Sequence, residues 1–312
     1  MMQKKQFVLT GLLTFMIMLF PLLTGAATVN ITVNETSPAV DTFGVSPATG
    51  SGAYIDWSQK VIIAKGIGAP AEGSKSPVLR KGQALTAAKV VAQRNLLEAI
   101  QGANVLSTTI IHNNQLIKDE IITSVQGVIK GAIEIDRKDL GGDIWEVTLA
   151  IPMYPNVSQA VIGTITEHTP RQPLPVPSSD AVRPAAPGET ASGSSPADYT
   201  GLVVETAGLP LNRTFSPVIY DDTGRAIYGH MNIDPQFAIS YGMVDYAATA
   251  EDIYQVDAGL SRAGKKPLII KAWGLRDNDN NLIISKADAD RLLAANTQSG
   301  DFLSKCNVVF KQ

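Results

Sequence analysis

The chain has 312 residues, 45% of them hydrophobic and 18% charged, with a formal net charge of −3. That balance is ordinary globular material, long enough for two domains, with no basic excess to argue for nucleic acid as a partner. A single cysteine, Cys306, excludes an intramolecular disulfide even in a compartment that would permit one.

The first predicted element is a secretory signal peptide over residues 1–27. Lys4 and Lys5 precede an apolar run from Phe7 to Leu23, and the small residues Thr24-Gly25-Ala26-Ala27 follow. The run has 17 residues, short of the roughly 20 that span a bilayer comfortably. An uncleaved N-terminal anchor is the alternative. Leu23-Thr24-Gly25 is what a bacterial lipoprotein signal places before its acylated cysteine, but position 26 is alanine. No lipid anchor is therefore expected, and no transmembrane span after signal cleavage. The expected location is periplasmic or exported.

Composition divides the remainder. Residues 28–52, rich in Thr, Ser, Gly and Pro, read as a disordered leader. Residues 166–198 concentrate Pro, Ser and Ala with almost nothing large and apolar, and read as an extended linker. Two folded units are predicted, 53–165 and 199–312.

In the first unit a strand is expected from Ile55 to Lys65, followed by the loop Gly66-Ile67-Gly68-Ala69-Pro70-Ala71. That loop formally matches a dinucleotide fingerprint. The motif uses the N-terminus of the next helix to hold pyrophosphate, and here Pro70 and EGSKSPV delay the helix by about ten residues. The glycines are accordingly assigned to backbone freedom in a connecting loop. Leu85, Ala88, Ala92, Leu96 and Ala99 form one stripe of an alanine-rich helix that Gly102 can end. Alanines on that stripe permit close approach to a sheet. A strand at Val105–Ile111 and a helix marked by Ile117, Ile121, Val125 and Val128 follow. Two alternating strands, Ile129–Asp136 and Trp145–Met153, are joined through Gly141-Gly142-Asp143 as a hairpin. The order β-α-β-α-β-β predicts an α+β sandwich.

The runs KGIGAP, RKGQALTAAKVVAQRNLLEAIQGANVLSTTI, VQGVIKGA and WEVTLAIPMY, within residues 60–155, resemble the bacterial LPP-twenty lipoprotein family. Its domain is similar to the N-terminal domain of the flagellar assembly protein FlgT. The resemblance implies a cell-envelope protein without established enzymatic activity, associated with the outer membrane or the flagellum. It supplies no catalytic residues, and Ala26 departs from the family's lipid tether.

The second unit is read as another α+β domain. Strands are expected at Gly201–Glu205, Val218–Tyr220 and Arg225–Tyr228, and a helix begins at Asp234-Pro235 and stops at Gly242. A helix at Ala250–Arg262, a strongly apolar strand at Pro267–Gly274 and a short helix after Ser285 follow. A last strand carries Cys306, Val308 and Phe310 on one face. PLIIKAWG, NLIIS and KADADRLL are similar to the C-terminal part of some two-domain relatives of the first unit.

The inventory of reactive residues is thin. His112, His168 and His230 lack metal-ligand spacing, and no G-x-S-x-G elbow occurs. Cys306 reads as a buried structural thiol, and Glu134 with Asp136 as a solvated strand face. Asp277–Asp288 places oxygen side chains at several positions of a calcium-binding EF-type loop, yet Leu282 stands where glycine is required. A hairpin turn over Asp277–Asn281, followed by a helix capped by Ser285 with Asp288 at the capping-box position, covers the same residues. No catalytic, cofactor-binding or metal site is expected. The expected function is a non-catalytic envelope protein acting by protein–protein contact or self-association. The alternative is a secreted enzyme or a glycan- or ligand-binding protein using the second unit.

Overall fold

The computed structural model describes residues 52–102, 115–178, 198–206 and 208–312. The predicted signal peptide, almost all of the leader, the Val105–Ile111 strand and His112 lie outside them.

The expected strand Ile55–Lys65 is a hairpin. β1 (Ala53–Asp56) and β2 (Val61–Gly68) pair antiparallel across the turn Trp57–Lys60. Asp56 Oδ1 accepts from the Gln59 backbone N–H at 2.9 Å and Lys60 takes φ 58°, so an Asx-type turn interrupts a stretch whose apolar content reads as continuous. β2 runs on through Gly68, so Gly66 and Gly68 lie in a strand and not in a loop.

Their role comes from the helix above them. α1 (Pro77–Gly102) buries Ala84, Ala88, Ala92, Leu96, Ala99 and Ile100. A Cβ on Gly66 would stand 2.2 Å from the Ala88 carbonyl O and 2.3 Å from the Ala92 N. One on Gly68 would stand 2.2 Å from the Ala88 N and 2.3 Å from the Ala84 O. Glycine on the strand and alanine on the helix are two halves of one close backbone contact.

α2 (Gln115–Ile129) follows the next stretch of chain and buries Ile117, Ile121, Val125 and Ile129. Ile129 thus continues the helical stripe, and the expected strand start moves to β3 (Ile133–Gly141). β3 pairs with β4 (Ile144–Pro152) through the predicted Gly141-Gly142-Asp143 turn, completing an antiparallel sheet of order β1-β2-β4-β3. After β4, two π-type turns (Met153–Val157 and Gln159–Gly163) lead into α3 (Thr164–His168), and they bury Met153, Val157, Val161, Ile162 and Ile165.

The C-terminal part holds two more sheets. The mixed one runs β10 (Gly274–Arg276), β11 (Asn281–Ile284), β6 (Ile219–Asp221) and β7 (Ala226–Tyr228). The other, of order β8 (Asp245–Ala247), β12 (Val308–Lys311), β5 (Gly201–Glu205) and β9 (Pro267–Lys271), is parallel throughout. Parallel neighbours need crossovers, and three helices lie within those crossovers. α4 (Pro235–Tyr241) is capped by Asp234, with Pro235 at its start and Gly242 at φ 84° ending it, as the sequence predicts. α5 (Ala250–Asp257) carries a full capping box between Thr249 and Asp252. α6 (Lys286–Gln298) is capped by Ser285, which accepts from the Asp288 N–H. With six helices and 12 strands in three sheets among the described residues, the fold is α+β.

The two portions share one hydrophobic core, continuous from Ala53 to Phe310. At their junction the Trp57 ring meets Phe215 at 5.4 Å and Tyr246 at 5.3 Å, and Tyr154 meets Phe215 at 6.3 Å. Asp245 joins Lys60 and Arg262, each at 2.9 Å, and Ser158 Oγ donates to the Ile239 carbonyl. Nor is residues 166–198 a free spacer over its whole length. Gln172 N–H donates to the Met231 carbonyl at 2.7 Å, and Ser178 N–H to Asp290 Oδ1 at 3.0 Å. A segment without apolar residues to fold by itself can still dock on a surface that supplies the partners.

Candidate interaction surface

The parallel sheet buries its two faces unequally. Leu202, Val204, Leu268, Ile270, Val308 and Phe310 join the main core. On the opposite face α5 sets Val256 against Val203, Ala247, Ala263 and Val309, a small satellite cluster. α5 is shorter than the predicted Ala250–Arg262. Gly259, at φ 70°, turns the chain back against Lys265, to whose Cα a Cβ at 259 would stand only 2.8 Å. So short a helix spans only part of the sheet and leaves the outer face of β9 open.

That open margin is apolar. Along PLIIKAWG, Leu268, Ile270 and Ala272 point inward, while Ile269 is 55% exposed and Trp273 60%. Leu260, in the turn after α5, is 64% exposed. Between α5 and β9 lies a depression of about 200 Å³, lined by Val203, Glu205, Val256, Asp257, Ile269 and Lys311 among others. Lys311 Nζ and Asp257 Oδ1 pair at 2.6 Å beside it. The depression is below the roughly 300 Å³ at which small-molecule sites begin. Its lining mixes apolar Val203, Val256 and Ile269 with charged Glu205, Asp257, Lys265 and Lys311, a composition that suits a protein contact. The β9 edge is blunted against strand addition, because Pro267 opens the strand and Arg291 Nη2 donates to the Ile269 carbonyl at 3.3 Å. A partner would meet side chains here, not backbone. The signal in the sequence is the alternation of Ile269, Lys271 and Trp273 against Leu268, Ile270 and Ala272 within one strongly apolar run.

The residues weighed for chemistry lie in separate surroundings. His168, at the end of α3, pairs with Glu120 at 2.8 Å. His230 is 6% exposed, and burial lowers its imidazole pKa to about 4. Cys306 is buried, and burial pushes its thiol up to about 11. It sits at φ 58° in the turn before β12, not on the strand, and both faces of that strand are buried. A register shift separates Glu134 from Asp136 on β3, and Glu134 pairs with Arg137 at 2.6 Å.

Asp277–Asn281 turn the β10–β11 hairpin, with Asp277, Asn278 and Asp279 all at positive φ. Their side chains are engaged locally: Asp277 Oδ2 accepts from Asn281 Nδ2 at 2.8 Å, and Asn281 Oδ1 accepts from the Val218 N–H. Among the described residues no group of three or more His, Cys, Asp or Glu is placed to hold a metal ion, and no helix is long and apolar enough to cross a membrane.

The comparison with protein families gives one finding. Residues 201–310 match the model of Treponema pallidum Tp0624, second domain. These residues hold both C-terminal sheets almost entire, with the open margin of β9 inside them. No curated protein matches the chain.

Proposed function

We propose that this chain is a non-catalytic bacterial cell-envelope protein, periplasmic or exported and peripheral at the outer membrane, that works by contact with other envelope proteins or with its own copies. The observation that carries the reading is the open margin of the parallel sheet, where Ile269 stands in solvent at a shallow depression, with exposed Trp273 just past the end of β9 and exposed Leu260 in the turn after α5. Exposed large apolar side chains in a polar surround are the anchors that interaction sites use. The predicted signal peptide supports the envelope setting. So does the resemblance of residues 60–155 to the LPP-twenty and FlgT N-terminal domains, whose KGIG and alanine runs here share a single packing role.

Photo-cross-linking in the native envelope tests the reading. A photoreactive residue placed at Ile269 is expected to give a discrete protein adduct, identified by mass, and the adduct should vanish when Trp273→Asp is added. A chain that stays monomeric and uncross-linked from position 269, while a probe at exposed Val90 behaves the same way, would refute it.

A further inference from the structure

The strap of residues 172–178 lies across the C-terminal lobe, well away in sequence from the β9 margin. It is held mostly through its own backbone. Met231 O accepts from Gln172 N–H, and Asn232 Nδ2 donates to the Gln172 and Pro173 carbonyls at 3.4 and 3.2 Å. Arg225 Nη1 donates to the Val176 carbonyl at 3.1 Å, and Asp290 accepts from both the N–H and the hydroxyl of Ser178. Leu174 is the side chain that packs on the core, while Val176 is 82% exposed.

Two features set this apart from ordinary loop packing. The charged cluster under Ser178 is complete without the strap. Asp221, at the end of β6, holds Arg225 at 2.9 Å, and Asp290 on α6 is paired with Arg225 at 2.8 Å and Lys286 at 2.9 Å. Burial alone would raise the Asp290 carboxyl, but the hydrogen bonds from Ser178, Arg225 and Lys286 outweigh it and hold it well below the usual carboxylate range. Removing Ser178 leaves Asp290 with two cations, so departure of the strap strands no buried charge. The strap is also an incomplete ligand. Asn232 is 4% exposed, and its Oδ1 has no hydrogen-bond partner, nor does Nδ1 of neighbouring His230. Of the two strap residues whose carbonyls lie at Asn232, Gln172 already gives its N–H to the Met231 carbonyl, and Pro173 has no N–H to give.

We propose that residues 172–178 are a displaceable occupant of a peptide-binding groove, whose ligand in trans is an extended protein segment. That segment offers a backbone N–H where the strap has Pro173 and a Ser or Thr where it has Ser178. The inference concerns a different surface from the β9 margin and stands or falls without it.

The test uses the full chain and a fluorescein-labelled peptide of residues 169–178 carrying Pro173→Ala. Because a groove filled in cis lowers apparent affinity by the fraction of time it is free, the strap-weakened Leu174→Ala/Ser178→Ala chain should bind this peptide about tenfold more tightly than the unaltered chain. The unmodified peptide should bind more weakly than the Pro173→Ala one. Excess peptide should also speed hydrogen exchange at the Gln172 and Ser178 amides of the unaltered chain, a readout that does not depend on any variant folding. Equal binding to the two chains, or exchange at those amides unmoved by excess peptide, would show the strap to be a fixed part of the fold.

Discussion

Gly66→Ala tests whether the β2–α1 contact is as close as the structure places it. The added methyl would meet the Ala88 O at 2.2 Å and the Ala92 N at 2.3 Å. Both are backbone atoms inside a helix, so no side chain can swing aside, and α1 must retreat from the sheet by about 1 Å. A gap of that size forfeits roughly a quarter to a half of each facing dispersion contact, and the losses fall on Ala88, Ala92 and Leu96, each 0% exposed. Strain and lost packing together put the cost at about 3 kcal/mol, or a fall in Tm of roughly 6–12 °C for a domain of this size. The internal control is Gly82→Ala on the same helix, where an added Cβ meets nothing within 4 Å. There the change should stabilise by about 0.5–1 kcal/mol. Urea and thermal unfolding of the two variants should therefore move in opposite directions. Ala88→Gly should not rescue Gly66→Ala, since the obstruction is the helix backbone. A Gly66→Ala chain as stable as the parent would refute the contact.

Three further outcomes are expected. His230 has a folded-state pKa near 4 against an ordinary value of 6.5, so the unfolded chain binds more protons between those limits. Its contribution is whole above pH 6.5 and is lost as pH falls, by about 3 kcal/mol on reaching pH 4. His230→Gln should flatten that part of the urea-midpoint profile. Asp245→Ala should cost about 2–3 kcal/mol because it removes the carboxylate beside nearly buried Arg262, whereas Lys60→Ala, on the exposed side of the same group, should cost under about 1 kcal/mol by calorimetry. N-terminal sequencing of the mature protein should begin just after Ala26 or Ala27, and Met1 retained in a membrane pellet would overturn the export reading.

What was legible in the sequence is what short-range chemistry decides. The Asp234-Pro235 start and Gly242 stop of α4, the Ser285 cap of α6, the Gly141-Gly142-Asp143 hairpin and the Asp277–Asn281 turn each rest on residues within a few positions of one another. Sequence and structure part where a local signal has two meanings. Glycine frees the backbone, which suits Gly66 and Gly68 to a loop, but glycine also lets another backbone approach, and only the alanine stripe some twenty residues later distinguishes the cases. The open margin at Ile269 and Trp273 is not legible in an apolar run alone, because which alternate residues stay exposed depends on the length of the helix that covers them.

The shared core was hidden for a related reason. Its junction is made by aromatics that belong to no period: Trp57 in the β1–β2 turn, Tyr154 in the turns after β4, and Phe215 in the irregular stretch before β6. Periodicity assigns a side chain to the face of its own helix or strand, and a large aromatic flanked by polar residues in a turn has no such face. Leaving it exposed would sacrifice some of the largest apolar area available to the chain, so it must be buried by something distant in sequence. Turn aromatics are therefore a sign that two apparent units pack together. On that reasoning, Asp56-Trp57-Ser58 and Thr214-Phe215-Ser216 already pointed toward a joint core. The same logic applies to the strap, where Leu174 and Val176 are the two apolar side chains among prolines: too little for a fold of their own, yet Leu174 is enough to mark where the segment rests on another surface.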